Sequence, residues 1–178
     1  MQDPIQRLLQ EHRAIMRQVA ELRSAVQTLA DRSENALPGV LPVLQVTVRM
    51  IESELLAHAR REDDALFPAI ERTLNDSALT GQMRQEHRDI HAEGDRFRST
   101  LREINEVEHP AIVAGGALLK TLVATGGSAE ALRRTGAKLI RLLDDHFRKE
   151  EEILFPMARE VLQPDQLEAI ARAMEAIK

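Results

Sequence analysis

The segment His58-Ala-Arg-Arg-Glu62-Asp-Asp-Ala-Leu-Phe-Pro68 recurs later in the chain as His146-Phe-Arg-Lys-Glu150-Glu-Glu-Ile-Leu-Phe-Pro156. Both copies read His-x-x-x-Glu, two further acids, one residue, then Leu-Phe-Pro. On a helix, residues four apart share a face, so each copy aims an imidazole and a carboxylate the same way. One such pair arises easily by chance, whereas two in a matched context mark a repeat, and a repeat constrains the whole fold. A second pair of segments also matches, Gln10-Glu11-His12-Arg13 with Gln85-Glu86-His87-Arg88, and His91 follows His87 at four residues. The chain therefore reads as two halves, each a helix with an early histidine followed by a helix with a late His-x-x-x-Glu.

Early, late, early and late positions converge only if neighbouring helices run antiparallel. The expected architecture is all-α: a single domain over 1–178, built as an up-down-up-down four-helix bundle with an additional C-terminal helix and a short extra helix in 110–124. Apolar residues at spacings of three and four from Ile5 to Leu29 predict the first helix, opened by Asp3 and Pro4. The run from Asp31 to Pro42 reads as a connection, and Pro68 is expected to kink or end the second helix. The third helix is expected from about Ala78 to Ile104, with His109-Pro110 breaking it. Ser128 reads as the N-cap of the fourth, and Pro164 opens the last.

The candidate metal ligands are His12, His58, Glu62, His87, His91, His146 and Glu150. Buried on apolar stripes without a cation, so many imidazoles and carboxylates would be costly. Seven ligands exceed one ion, and two ions bridged by Glu62 and Glu150 accommodate them. Asp63, Asp64, Glu151 and Glu152 read as a solvated face or as support behind the ligands. His109, beside Pro110, reads as a loop residue outside the site. Aligning His12 with His87 sets Met16 against His91, so Met16 is expected to line an open coordination position, or to be ordinary core packing.

The chain has no cysteine, so any metal is held by nitrogen and oxygen. A net charge of -5 without a block of Lys or Arg speaks against nucleic acid and anionic membrane as partners. The N-terminal residues lack a basic and apolar leader, and the apolar run 111–119 is too short to span a bilayer, so the cytoplasm is the expected location by default. No activated nucleophile or phosphate-cradling loop appears outside the histidine set.

These motifs resemble the hemerythrin-like (HHE cation-binding) proteins over almost the whole chain, and the Leu-Phe-Pro segments look like the di-iron domain of iron-sulfur cluster repair proteins. The resemblance implies two Fe ions with an oxo or hydroxo bridge. It places His87, His91 and His146 on one ion and His12 and His58 on the other, with Glu62 and Glu150 between them. It also makes Glu151, at five residues from His146, a second candidate for the later bridge. It implies O2, NO or peroxide as the small ligand, bound for sensing, storage or stress protection, with an electron donor that the sequence does not identify. Two other functions use the same residues: a di-iron enzyme or iron donor acting in peroxide reduction or cluster repair, and a structural or storage metal bundle.

Overall fold

The computed structural model describes residues 2–75 and 99–177, and every regular element among them is helical. Helix α1 is Pro4–Arg32. Asp3 caps it, its carboxylate accepting from the amides of Ile5 (2.8 Å) and Gln6 (3.1 Å), with Pro4 in the first turn where a missing amide costs nothing. Its buried stripe, Ile5, Leu8, His12, Ile15, Val19, Leu22, Ala25 and Leu29, keeps the spacing of three and four, and one histidine sits in it as a core residue. A 3-10 turn, Ser33–Ala36, leads directly into the next helix. The connection is thus shorter than the expected Asp31 to Pro42, because Pro38 lies in the first helical turn and Pro42 is accommodated inside the helix.

Helix α2 covers residues 37–75 as one rod, with π-helical turns at Ile51–Leu55 and Glu62–Leu66. Helix α3 is described from Ser99 to Thr125, with a π turn at Ile104–Glu108, and ends on Gly126 in the left-handed conformation (φ 69°) that glycine adopts without strain. Helix α4 covers residues 129–161, with a π turn at Glu150–Leu154, and helix α5 is Pro164–Ala176. Ser128 caps α4 as expected, and Glu34 from the α1–α2 connection also accepts from the amide of Ala129 at 2.9 Å.

Two expectations about proline are corrected. Pro68 neither ends nor breaks α2, and Pro110 does not break α3, so the short helix expected in 110–124 is the second half of α3. The cause is the same at Pro68, Pro110 and Pro156. The residue before each proline donates a bond five residues back: Phe67 to Glu62, His109 to Ile104, and Phe155 to Glu150. The additional residue in each such turn moves the carbonyl that the proline ring would strike, and the helix continues.

Helix α1 packs on α2 and α4, and α3 packs on the same two from the other side. The core has two parts. One, around Val19, Leu22, Leu44, Leu119, Leu139 and Leu143, fills the bundle toward the α3–α4 connection. The other, around Leu8, Leu66, Ile70, Ile104 and Leu154, is closed off by Ile170 and Met174 of α5. Each fully buried Leu or Ile contributes about 1.5–3 kcal/mol of apolar transfer. The histidines lie between the two parts. By length and composition α3 could cross a membrane (27 residues, mean hydropathy 1.2), longer than the run 111–119 suggests. In this fold its Ile112, Gly116 and Leu119 are committed to the bundle.

Candidate metal centre

One histidine from each long helix reaches this level: His12 of α1, His58 of α2, His109 of α3 and His146 of α4. The two carboxylates four residues after His58 and His146, Glu62 and Glu150, stand among them and are both 0% exposed. The six residues form two overlapping groups, His12, His58, Glu62 and Glu150, and Glu62, His109, His146 and Glu150, with donor atoms within 4.8 Å of one another in each. Glu150 divides its oxygens between the groups, Oε2 lying 3.2 Å from His12 Nε2 and Oε1 3.3 Å from His146 Nε2. Glu62 Oε2 lies 3.5 Å from both His58 Nε2 and His109 Nε2.

The outer nitrogen of each ring is held from a neighbouring helix. His12 Nδ1 is 2.8 Å from Glu151, His58 Nδ1 3.0 Å from Glu11, His109 Nδ1 3.1 Å from Asp63, and His146 Nδ1 3.0 Å from Glu108. An ionised carboxylate only accepts, so each Nδ1 carries a proton, and each Nε2 faces inward, with its lone pair available wherever the ring is neutral. Phenylalanines close the surroundings: His12 stacks on Phe147 and Phe155 with ring centroids 4.1 and 5.3 Å away, and His109 on Phe67 at 6.2 Å.

Electrostatics leave this arrangement short of positive charge. Burial, and next the charge of His58, depress His12 to about 3, so its ring is neutral. Burial also lowers His146. Burial works against charge on Glu62, but His58 and His109 outweigh it and hold it ionised, at about 2. Beside that charge, burial and Glu62 together push Glu150 well above the carboxylate range. Burial opposes a proton on His109 too, yet the Asp63 and Glu62 carboxylates lift it to about 9. Without a cation, protons on Glu150 and His109 do the balancing.

The residues fit metal ions. Both oxygens of Glu62, both of Glu150, and Nε2 of His109 and His146 are buried without a hydrogen-bond partner, a cost that coordination would remove. His12 Nε2 and His58 Nε2 face each other at 3.1 Å. Two nitrogens bound at about 2.1 Å and at right angles on one ion lie about 3 Å apart. Nitrogen and carboxylate donors without thiolate suit iron, manganese or zinc.

Of the residues expected from sequence, His12, His58, Glu62, His146 and Glu150 come together, while His87 and His91 lie outside the described residues. His109 is the correction: it is no loop residue but a buried member of α3, and it completes the second group. The signal for it was the Glu-His dipeptide, since Glu108-His109 stands to α3 as Glu11-His12 stands to α1. Glu150 lies at the centre, while Glu151 is 46% exposed and binds the back of His12. Met16 is half-buried against the first part of the core.

The fold and these groups define a helical cation-binding bundle. The profile of the hemerythrin HHE cation-binding domain matches residues 3–109 and again 103–177, and the chain belongs to that family. It is 21% identical over 168 residues to uncharacterized proteins of Mycobacterium tuberculosis and Mycobacterium bovis, an alignment that covers 94% of this chain and 58% of theirs. It thus spans a little over half the length of these curated relatives. No solved structure matches it.

Proposed function

We propose that the chain holds a pair of iron ions and binds O2, NO or a related small oxygen or nitrogen species there, for sensing, storage or protection. The observation that carries this reading is that two donor groups share Glu62 and Glu150, with one oxygen of Glu150 turned to each group. His12 and His58 would hold one ion, His109 and His146 the other, and the two carboxylates would lie between them. Bound there, the ions supply reversible coordination and electron transfer to a small ligand. The chain's own residues do the rest. Asp63, Glu11, Glu108 and Glu151 orient the imidazoles, Phe67, Phe147 and Phe155 keep water from them, and the two glutamates offset the charge of the ions.

Among the described residues each group offers four donors, two imidazoles and two carboxylate oxygens. A cavity of about 330 Å³ opens between α1 and α2, lined by Glu11, Ala14, Ile15, Ser53, Glu54, Ala57 and Arg61, and it reaches the carboxylate behind His58. A cavity of that volume, at the lower end of the range for small-ligand pockets, admits a diatomic molecule or azide. The test is a visible spectrum of iron-loaded protein before and after reduction, then with O2, NO and azide. A charge-transfer band that each ligand shifts reversibly is the expected result. Colourless protein that takes up zinc and excludes iron would sink this reading and favour a structural bundle.

A further inference from the structure

The four outer hydrogen bonds close a ring. Glu11 of α1 holds His58 of α2, Asp63 of α2 holds His109 of α3, Glu108 of α3 holds His146 of α4, and Glu151 of α4 holds His12 of α1. The acids occupy matched places in the two halves. Glu11 and Glu108 directly precede a ring histidine, and Asp63 and Glu151 directly follow a central glutamate. None of these four acids holds a histidine of its own helix, so each outer ring nitrogen is fixed only when two neighbouring helices are in register.

We infer that Glu11, Asp63, Glu108 and Glu151 are positioning residues forming a cross-helix ring, which holds the Nδ1 proton of every site histidine and turns its Nε2 to the bundle centre. The chemistry is that of an acceptor-only carboxylate. It takes the Nδ1 proton in a hydrogen bond, and the lone pair is left on the opposite nitrogen, where a cation would sit. The inference rests on the metal reading for its purpose, but the tautomers belong to the folded chain itself. Glu151 gives the cleanest case, because its carboxylate contacts His12 Nδ1 from a half-exposed position and its removal leaves no buried cavity.

The test uses the full chain with two readouts. Long-range proton–nitrogen NMR of the metal-free protein at neutral pH reads the tautomer of His12, and competition against a chromophoric chelator reads the affinity for ferrous iron under anaerobic conditions. In the parent, His12 is expected to be protonated on Nδ1. Glu151→Ala is expected to lose that preference and to bind iron roughly 10–100-fold more weakly. Glu151→Gln, whose amide oxygen still accepts, should restore both. Asp63→Ala, acting on His109, should weaken iron binding by a similar factor. A parent His12 protonated on Nε2, or Glu151→Ala with unchanged tautomer and unchanged affinity, overturns the ring. If the parent binds no metal while His12 still responds to Glu151→Ala, the ring stands and the metal reading falls.

Discussion

His109 carries the sharpest test at the level of single residues, because it alone represents α3 in the centre among the described residues. His109→Ala is expected to leave the His12–His58 group able to bind and to lower the iron content of anaerobically loaded protein from two ions toward one. Elemental analysis after gel filtration reads this directly, and an undiminished content would remove His109 from the site. Acid and alkali should act on different histidines in metal-free protein. His12, held at about 3 in the fold, refuses a proton that the unfolded chain takes up near 6.5. Its contribution is therefore fully present above about 6.5 and is lost as the pH falls from there toward 3. His109, raised to about 9, contributes fully below its unfolded value and loses that contribution as the pH rises through 9. Melting curves of chelated protein should show His12→Gln flattening the acid limb and His109→Gln the alkaline limb. An unchanged acid limb in His12→Gln would contradict the buried neutral ring.

The helices themselves were legible where their apolar period ran unbroken, as in α1 and α5, and the His-x-x-x-Glu repeat placed two of the four histidines and both central carboxylates. His109 was hidden because Pro110 reads as a breaker, and the π turn that lets α3 pass through it has no signature in apolar spacing. The matching Gln-Glu-His-Arg segments placed His12, while their second copy, with His87 and His91, lies outside the described residues. The outer carboxylates were legible only as acids near ligands, since their partners lie on other helices and the pairing depends on register. The π turns also suggest a use for the Leu-Phe-Pro segments. Each turn begins at a central glutamate, at Glu62 and Glu150, and the proline after it disfavours regular α geometry there. Pro68→Ala removes that constraint. It is expected to raise the melting temperature of metal-free protein while weakening iron binding, as Glu62 rotates away from the shared position. Calorimetry and chelator competition check the pair, and an unchanged affinity would show that the turn does not depend on its proline.

For the molecule as a whole, the site lies between the two parts of the core. Its buried carboxylates and unpartnered nitrogens oppose folding until cations fill the space. Each ion present at about a hundredfold its dissociation constant stabilises by about 2.7 kcal/mol, which in a chain of this length corresponds to roughly 5–10 °C in melting temperature per ion. Chelation should remove that increment, and a metal-free protein that melts with the loaded one would argue against the burial described here. The central claim is that the two groups act together, bridged by Glu62 and Glu150. Anaerobic titration with ferrous iron, followed by elemental analysis against protein concentration, tests it most directly. Two ions per chain in the parent, with both sites weakened together in Glu150→Ala, is the expected result. A single ion at full occupancy, or Glu150→Ala still holding two, would contradict it.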